Sequence, residues 1–225
     1  MLLVALPRLN LGSLMVIRGF ISLWMNLNQV ESVFDIVEGM RYTNATKLAA
    51  NYLKSKPEVE EIINERYVGA TPNLDILLEY PEESLGHIYA SHMKKLGFTP
   101  ASYRKIKIED DISYILFRMR QTHDIWHIIT GFDTSQMGEL GIQSFSLAQT
   151  HLPMPVILLA GGLFRTIFQS PELLGNLLEQ VTFGYTMGSK VKPLFAQKWE
   201  ENWEKPLSEW REELGINLVN TCISE

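Results

Sequence analysis

His123, Asp124, His127 and Glu139 place two imidazoles and two carboxylates within seventeen residues, inside an otherwise apolar run. Imidazole nitrogens suit a borderline divalent ion and carboxylate oxygens a harder one, so the set reads as a metal site. Zinc, iron and manganese all suit these donors, and magnesium a carboxylate-weighted version.

Spacing carries more than composition here. On a helix, His123 and His127 lie on one face about one turn, ~6 Å, apart. Asp124 points roughly 100° away around the helix, where it can join the pair from the side or brace a histidine from behind. Glu139 stays out of reach if that helix runs on, because twelve residues at ~1.5 Å each carry it about 18 Å past His127.

The residues between them predict a reversal. Gly131 is a helix stop, and Asp133-Thr134-Ser135-Gln136 reads as an N-cap with its capping-box partner three residues on. A second helix that starts near Asp133 and doubles back brings Glu139 level with the two histidines, about 9 Å along its own axis. A bare H-x-x-x-H occurs on helices by chance. These four residues, however, are set among Ile115, Leu116, Phe117, Ile125, Trp126, Ile128 and Ile129. Uncompensated charge in such surroundings costs several kcal/mol, which a bound cation or hydrogen bonds offset.

The elements that must hold this site all read as helices. An apolar helix over 13–27 has large side chains on nearly every side, which fits burial in a core, at a dimer seam or on a bilayer surface. Amphipathic helices follow over 29–39 and 43–54, the latter with Ala45, Leu48, Ala49, Tyr52 and Leu53 inward. Pro57 opens a short acidic helix, and residues 67–83 form a long connection with one turn around Asp75–Glu79. The helix over 84–96 ends at Gly97 and carries His87 and His92. Their spacing of five does not bring them together, so both read as surface or boundary residues. A long helix from Asp110 to Thr130, the returning helix to Thr150, and apolar helices over 156–169 and 171–188 complete the central part. Residues 193–204 and 206–214 carry Trp199, Trp203 and Trp210 at near-helical spacing, a stripe that reads as core. No strand pattern and no repeat occurs, so the fold class is all-α, in one domain over 1–225.

The totals exclude several classes. Hydrophobic content of 46 % with 20 % charged residues is ordinary globular composition, with enough chain at 225 residues for a full core. Net charge is −6 without a basic cluster beyond pairs such as Lys94-Lys95, which argues against nucleic acid and against polybasic membrane docking. Cys222 is the single cysteine, so no internal disulfide framework exists and a reducing compartment fits. No signal peptide and no membrane span stands out. The apolar excess predicts a homodimer.

The motif H-D-x-x-H-x(11)-E, met by His123, Asp124, His127 and Glu139, resembles the signature of the Coq-four proteins of ubiquinone (coenzyme Q) biosynthesis. Pro81 to Tyr89, Gly138-Glu139-Leu140, Gln149 to Met154 and Trp210 to Ile216 look like that family's flanking blocks in the same order. The resemblance spans roughly residues 12–217. It implies an all-helical protein with metal, typically zinc, on those four residues and a long internal apolar cavity or tunnel for a polyprenyl lipid. It also implies a role organising other quinone-biosynthesis enzymes at a membrane surface, and links to oxidative decarboxylation of the prenylated hydroxybenzoate precursor. The implied location is cytoplasmic and peripherally membrane-associated, or the matrix face of the mitochondrial inner membrane in a eukaryote. No presequence precedes the matching region, which points to a bacterial-type or mature form. A metal-dependent enzyme, a non-catalytic lipid-binding scaffold and a histidine–aspartate hydrolase are the three functions to weigh. The hydrolase lacks ligands, since His87, His92 and His151 are the remaining histidines.

Overall fold

In a computed structural model the chain is described over residues 14–15, 36–98 and 106–218. The expected helix over 13–27 therefore lies outside the described residues except at helical positions 14–15, and so do Cys222 and most of the helix over 29–39.

Local chemistry sets the helix ends. Helix α1 (Asn44–Lys54) starts where the Thr43 hydroxyl accepts from the Thr46 N–H, and α2 (Pro57–Glu65) opens on Pro57 as expected. A single turn, α3 (Leu74–Leu77), precedes α4 (Leu85–Leu96), which Ser84 caps and Gly97 ends in the left-handed region. Helix α5 (Asp111–Thr130) begins at a reciprocal box between Asp110 and Ser113. Then come α6 (Gln136–Thr150), α7 (Pro153–Gln169), α8 (Leu174–Lys190) and α9 (Leu207–Leu214). Among the described residues there is no strand, only an isolated bridge between Ser84 and Pro206 that ties the entry to α9 against the start of α4. The fold is all-α.

Three expectations change. Residues 193–204 are not a helix but two 3-10 turns, Leu194–Ala196 and Trp199–Glu201, although Trp199, Trp203 and Trp210 are buried as expected. On α1 the inward face is Thr46, Ala49, Ala50 and Leu53, while Ala45 and Leu48 are exposed. The helix turns its small residues inward, with Leu53 as the one large side chain on the buried face. Finally, the internal apolar tunnel implied by the resemblance is not shown among the described residues. A cleft of about 330 Å³ is lined by Lys47, Ala50, Asn51, Lys54, Asp110, Asp111 and Ile112, a wall that mixes charged and apolar groups and opens to solvent. Much of the apolar surplus of α7 and α8 faces outward instead. Val156, Phe164, Ile167, Phe168, Leu178 and Tyr185 are exposed, Phe168 at 71 %, and so is Leu173 in the turn between the two helices.

The core around the site is well packed. Trp126 on α5 meets Phe145 on α6 edge-on, with ring centres 5.8 Å apart. Helices α6 and α8 cross closely because Gly184 lacks a side chain, since a Cβ there would lie 2.2 Å from the Gly141 carbonyl oxygen. That close crossing fixes α6, and with it the carboxylate of Glu139.

Candidate metal centre

The reversal predicted at Gly131 is present. Gly131 adopts φ 78°, its N–H donates to the His127 carbonyl, and α5 stops there. Arg211, reaching over from α9, donates to the carbonyls of Ile128 (2.8 Å) and Ile129 (3.0 Å), which the end of the helix leaves without partners. Burial pushes the Arg211 guanidinium below its usual range.

The start of the returning helix differs from expectation. Its N-cap is Ser135, whose hydroxyl accepts from the Gly138 N–H, and the box between Asp133 and Gln136 does not form. Asp133 instead accepts from the Ser135 N–H and hydroxyl, shaping the turn before the cap. Both residues are good caps, and the turn decided between them. Glu139 consequently sits in the first turn of α6, where the helix dipole favours a carboxylate.

His123, His127 and Glu139 come together, each offering a ligand atom within 4.8 Å of the others. Glu139 Oε1 is 3.3 Å from His127 Nε2, and Oε2 is 4.0 Å from His123 Nε2. A tetrahedral ion with ~2.1 Å bonds holds its ligand atoms about 3.4 Å apart, so closing the trio on an ion takes only small side-chain motions. Asp124 falls outside the trio. Its Oδ1 lies 3.7 Å from His123 Nδ1, on the far side of that ring from Glu139.

His127 carries the strongest sign that these residues fit a cation. It is 3 % exposed, and its Nδ1 lies 2.9 Å from the Phe132 carbonyl oxygen. A carbonyl only accepts, so Nδ1 carries a proton and Nε2 is the nitrogen left for a ligand. That buried Nε2 makes no well-aligned hydrogen bond and lies 3.3 Å from a Glu139 oxygen. A cation shared by the two groups would satisfy both. The Phe132–His127 bond is the backbone-to-imidazole brace that metal-binding histidines ordinarily have. The His123 and Glu139 side chains are 33 % and 41 % exposed, so one side of the trio is open to an incoming ligand. Three protein ligands with an open position is the pattern of reactive rather than purely structural zinc sites.

The electrostatics agree. Burial pushes the His123 imidazole down, but its hydrogen bond to Asp124 and the charges of Glu139 and Asp124 outweigh this and leave it above its usual value. Burial raises Glu139, but His127 and His123 outweigh it and hold the carboxyl below its usual value. In the metal-free protein His123 then supplies positive charge between two carboxylates. Its contribution to stability is complete below its ordinary value of 6.5 and is lost as pH rises through the raised one. The contribution of Glu139 is complete above its ordinary value of 4.5 and is lost as pH falls through the lowered one. The stability gap between metal-free wild type and Glu139→Gln should therefore be widest between those two ordinary values and narrow on either side. Thermal melts across that range in chelator check this, and a gap that grows steadily toward alkaline pH would contradict it.

His87 is a structural residue, its Nδ1 bonded to the carbonyls of Leu78 and Tyr80. His151 stacks on Tyr52 at 3.6 Å, away from the trio. His92, expected to be a surface or boundary residue, lies close enough to Asp124 and His127 for their charges to act on its ring. The sequence carried no signal of this, since His92 is thirty-one residues before His123 and on another helix.

Comparison with known proteins gives one consistent answer. The family model for "Coenzyme Q (ubiquinone) biosynthesis protein Coq4" matches residues 5–220. The ubiquinone biosynthesis protein COQ4 homolog, mitochondrial, of Aedes aegypti is 32 % identical over 152 residues, covering 66 % of this chain and 54 % of that protein. The Rattus norvegicus protein of the same name is 30 % identical over 175 residues, covering 76 % and 65 %. A crystal structure of a protein from Nostoc punctiforme PCC 73102, named for ubiquinone biosynthesis, superposes with a TM-score of 0.83 at 39 % identity. It covers 92 % of this chain and 97 % of that one. The chain belongs to the Coq4 family of coenzyme Q (ubiquinone) biosynthesis proteins. It spans between about half and two thirds of the length of the insect and rat relatives.

Proposed function

We propose that this protein serves ubiquinone biosynthesis by binding a divalent ion, with zinc the first candidate, through His123, His127 and Glu139, and by presenting that ion to the polar head of a prenylated quinone precursor. The carrying observation is the buried His127 Nε2, without a hydrogen-bond partner, facing Glu139 at 3.3 Å.

A bound ion would supply a Lewis acid for an aryl carboxylate or phenol oxygen. The chain's own residues do the rest. The Phe132 carbonyl holds His127 in the tautomer whose Nε2 is free, and Asp124 orients His123 from behind. The partly exposed sides of His123 and Glu139 leave room for the head group. The outward apolar face of α7 and α8 suits the prenyl tail or the lipid surface in which such a tail resides. Among the described residues no helix is long and apolar enough to cross a membrane. Contact with lipid in this reading is made through that face. The same apolar face is the surface a homodimer would cover, and the pathway's other enzymes are the partners the scaffold role requires.

Native mass spectrometry of the full chain with metal analysis tests this reading. The expected result is one divalent ion per chain together with a co-purified polyprenyl lipid, and the same spectrum reports the subunit count. A chain that takes up no ion from excess zinc, iron or manganese and carries no lipid would refute it. Turnover of a prenylated hydroxybenzoate by the metal-loaded protein then separates an enzyme from a scaffold that only holds the head group.

A further inference from the structure

Gln143 on α6 is 6 % exposed, and neither end of its amide finds a hydrogen-bond partner among the described residues. Its Oε1 is sealed from solvent, whereas its Nε2 is not. A buried amide left unmet is costly, and native folds keep few of them.

The helix itself fixes where this amide stands. Gln143 follows Glu139 by four residues within the unbroken helix Gln136–Thr150. The two therefore share a face, with Cβ atoms about 5–6 Å apart. At ~100° per residue, Gln143 lies roughly 40° around the axis from Glu139. Other sides of α6 are taken. Gly141 and Ala148 meet Gly184 and Gly188 of α8, and the Ser144 hydroxyl donates to the Val181 carbonyl at 2.5 Å. Leu140 packs on Gly162 of α7. The Gln143 side chain thus leaves α6 beside Glu139, away from α8 and next to α7. Glu139 stands in the partly exposed first turn, and Gln143 is one turn further in.

The amide recognises a different chemistry from the trio. The trio with its ion takes an anionic oxygen, whereas a neutral amide both donates and accepts, as a hydroxyl does. The two ends of this site are about one helical turn, ~5.4 Å, apart. Substituents on opposite carbons of a benzene ring bridge such a span.

We infer that Gln143 selects the head group: its Nε2–H donates to a ring hydroxyl of an aryl acid whose carboxylate faces the ion held by His123, His127 and Glu139. This rests on the metal reading above and adds to it a requirement for the hydroxyl.

The test uses the full chain loaded with Co²⁺, with 4-hydroxybenzoate and benzoate as probes that differ only in that hydroxyl. The wild type should bind 4-hydroxybenzoate at least about tenfold more tightly, read from the shift of the visible d–d bands. Gln143→Met, close in volume but without the amide, should lose this preference and bind both probes as the wild type binds benzoate. It should take up Co²⁺ normally, with unaltered bands before any probe is added. Its melting temperature should be no lower, because a buried amide without partners has been removed. A Gln143→Met chain that keeps the preference would overturn the proposal. Weaker binding of both probes alike would overturn it too, since the residue would then support the site as a whole. Altered bands in the absence of probe would make Gln143 a metal ligand and overturn it as well. A wild type that binds the two probes equally overturns it without any variant, so a Gln143→Met chain that fails to fold does not shield it. If the wild type takes up no Co²⁺, or neither probe shifts its bands, the metal reading itself has failed and this role falls with it. Uptake of Co²⁺ with unselective probe binding sinks the role of Gln143 alone.

Discussion

His127→Ala should abolish specific metal uptake, dropping zinc from about one ion per chain to near none and weakening affinity by at least about a hundredfold. The magnitude follows from how completely this ring is positioned. Its side chain is 2 % exposed, the Phe132 carbonyl fixes its tautomer, and its free nitrogen is 3.3 Å from Glu139. His123 is a third exposed and lies 4.0 Å from the glutamate, so His123→Ala should cost less. Asp124→Asn, which removes only the charge behind His123, should cost about tenfold. Competition against a chromophoric chelator measures all three. A second readout is stability, since an ion at a thousand times its Kd stabilises the wild type by about 4 kcal/mol. Zinc should raise the wild-type melting temperature and leave that of His127→Ala where it was. An alanine variant that keeps full zinc stoichiometry would show that the trio is not the site. Loss of turnover in this variant with lipid binding spared would place the chemistry at the metal and reject a scaffold-only role.

The part of this site that could be read from sequence is the part written in neighbouring residues. Gly131 stops α5 because only a residue tolerant of positive φ ends a helix that way, and Ser84, Thr43 and Asp110 cap because their side chains reach N–H groups three residues on. The pairing of Glu139 with two histidines followed from helix rise and one reversal. Asp133 and Ser135 show the limit, because either can cap and the choice depended on which one the turn used first. Contacts between distant segments left no trace in the pattern. The charge of Asp124 is felt at His92 only because α4 packs on α5, and hydropathy does not reveal which apolar side of α7 and α8 a neighbour covers. The tunnel expected from the resemblance belongs to that same group. An all-round apolar helix looks identical in sequence whether it lines a cavity, packs in a core or faces outward.

Glu200→Ala should destabilise the fold by about 3–5 kcal/mol, a large share of the stability of an ordinary domain. Its partner Arg118 is wholly buried and Glu200 is 5 % exposed. One guanidinium nitrogen donates to Glu200 and to Gln121, both at 2.6 Å, and another to the Gln197 carbonyl at 2.7 Å and to Glu200 at 3.0 Å. Tyr67 lies against the guanidinium at 5.2 Å, and Gly69 leaves the space in which the Glu200 carboxylate sits. Removing the carboxylate strands a positive charge among these groups, so the loss reflects an unpaired buried ion and not merely a missing bond. The double variant Arg118→Met, Glu200→Leu removes both charges and should recover much of the loss, because the pair repays its own desolvation only in part. Urea melts of the two variants and the wild type separate these terms. A single variant that loses under about 1 kcal/mol, or a double variant no more stable than the single, would show that the pair is not the clamp described. The consequence reaches the metal. Arg118 stands on α5 five residues before His123 and ties that helix to the segment carrying Trp199. Glu200→Ala keeps the Arg118 bond to the Gln197 carbonyl and so keeps this tie, whereas the double variant loses it; zinc affinity should therefore fall further in the double variant than in the folded fraction of Glu200→Ala, although no ligand has changed in either.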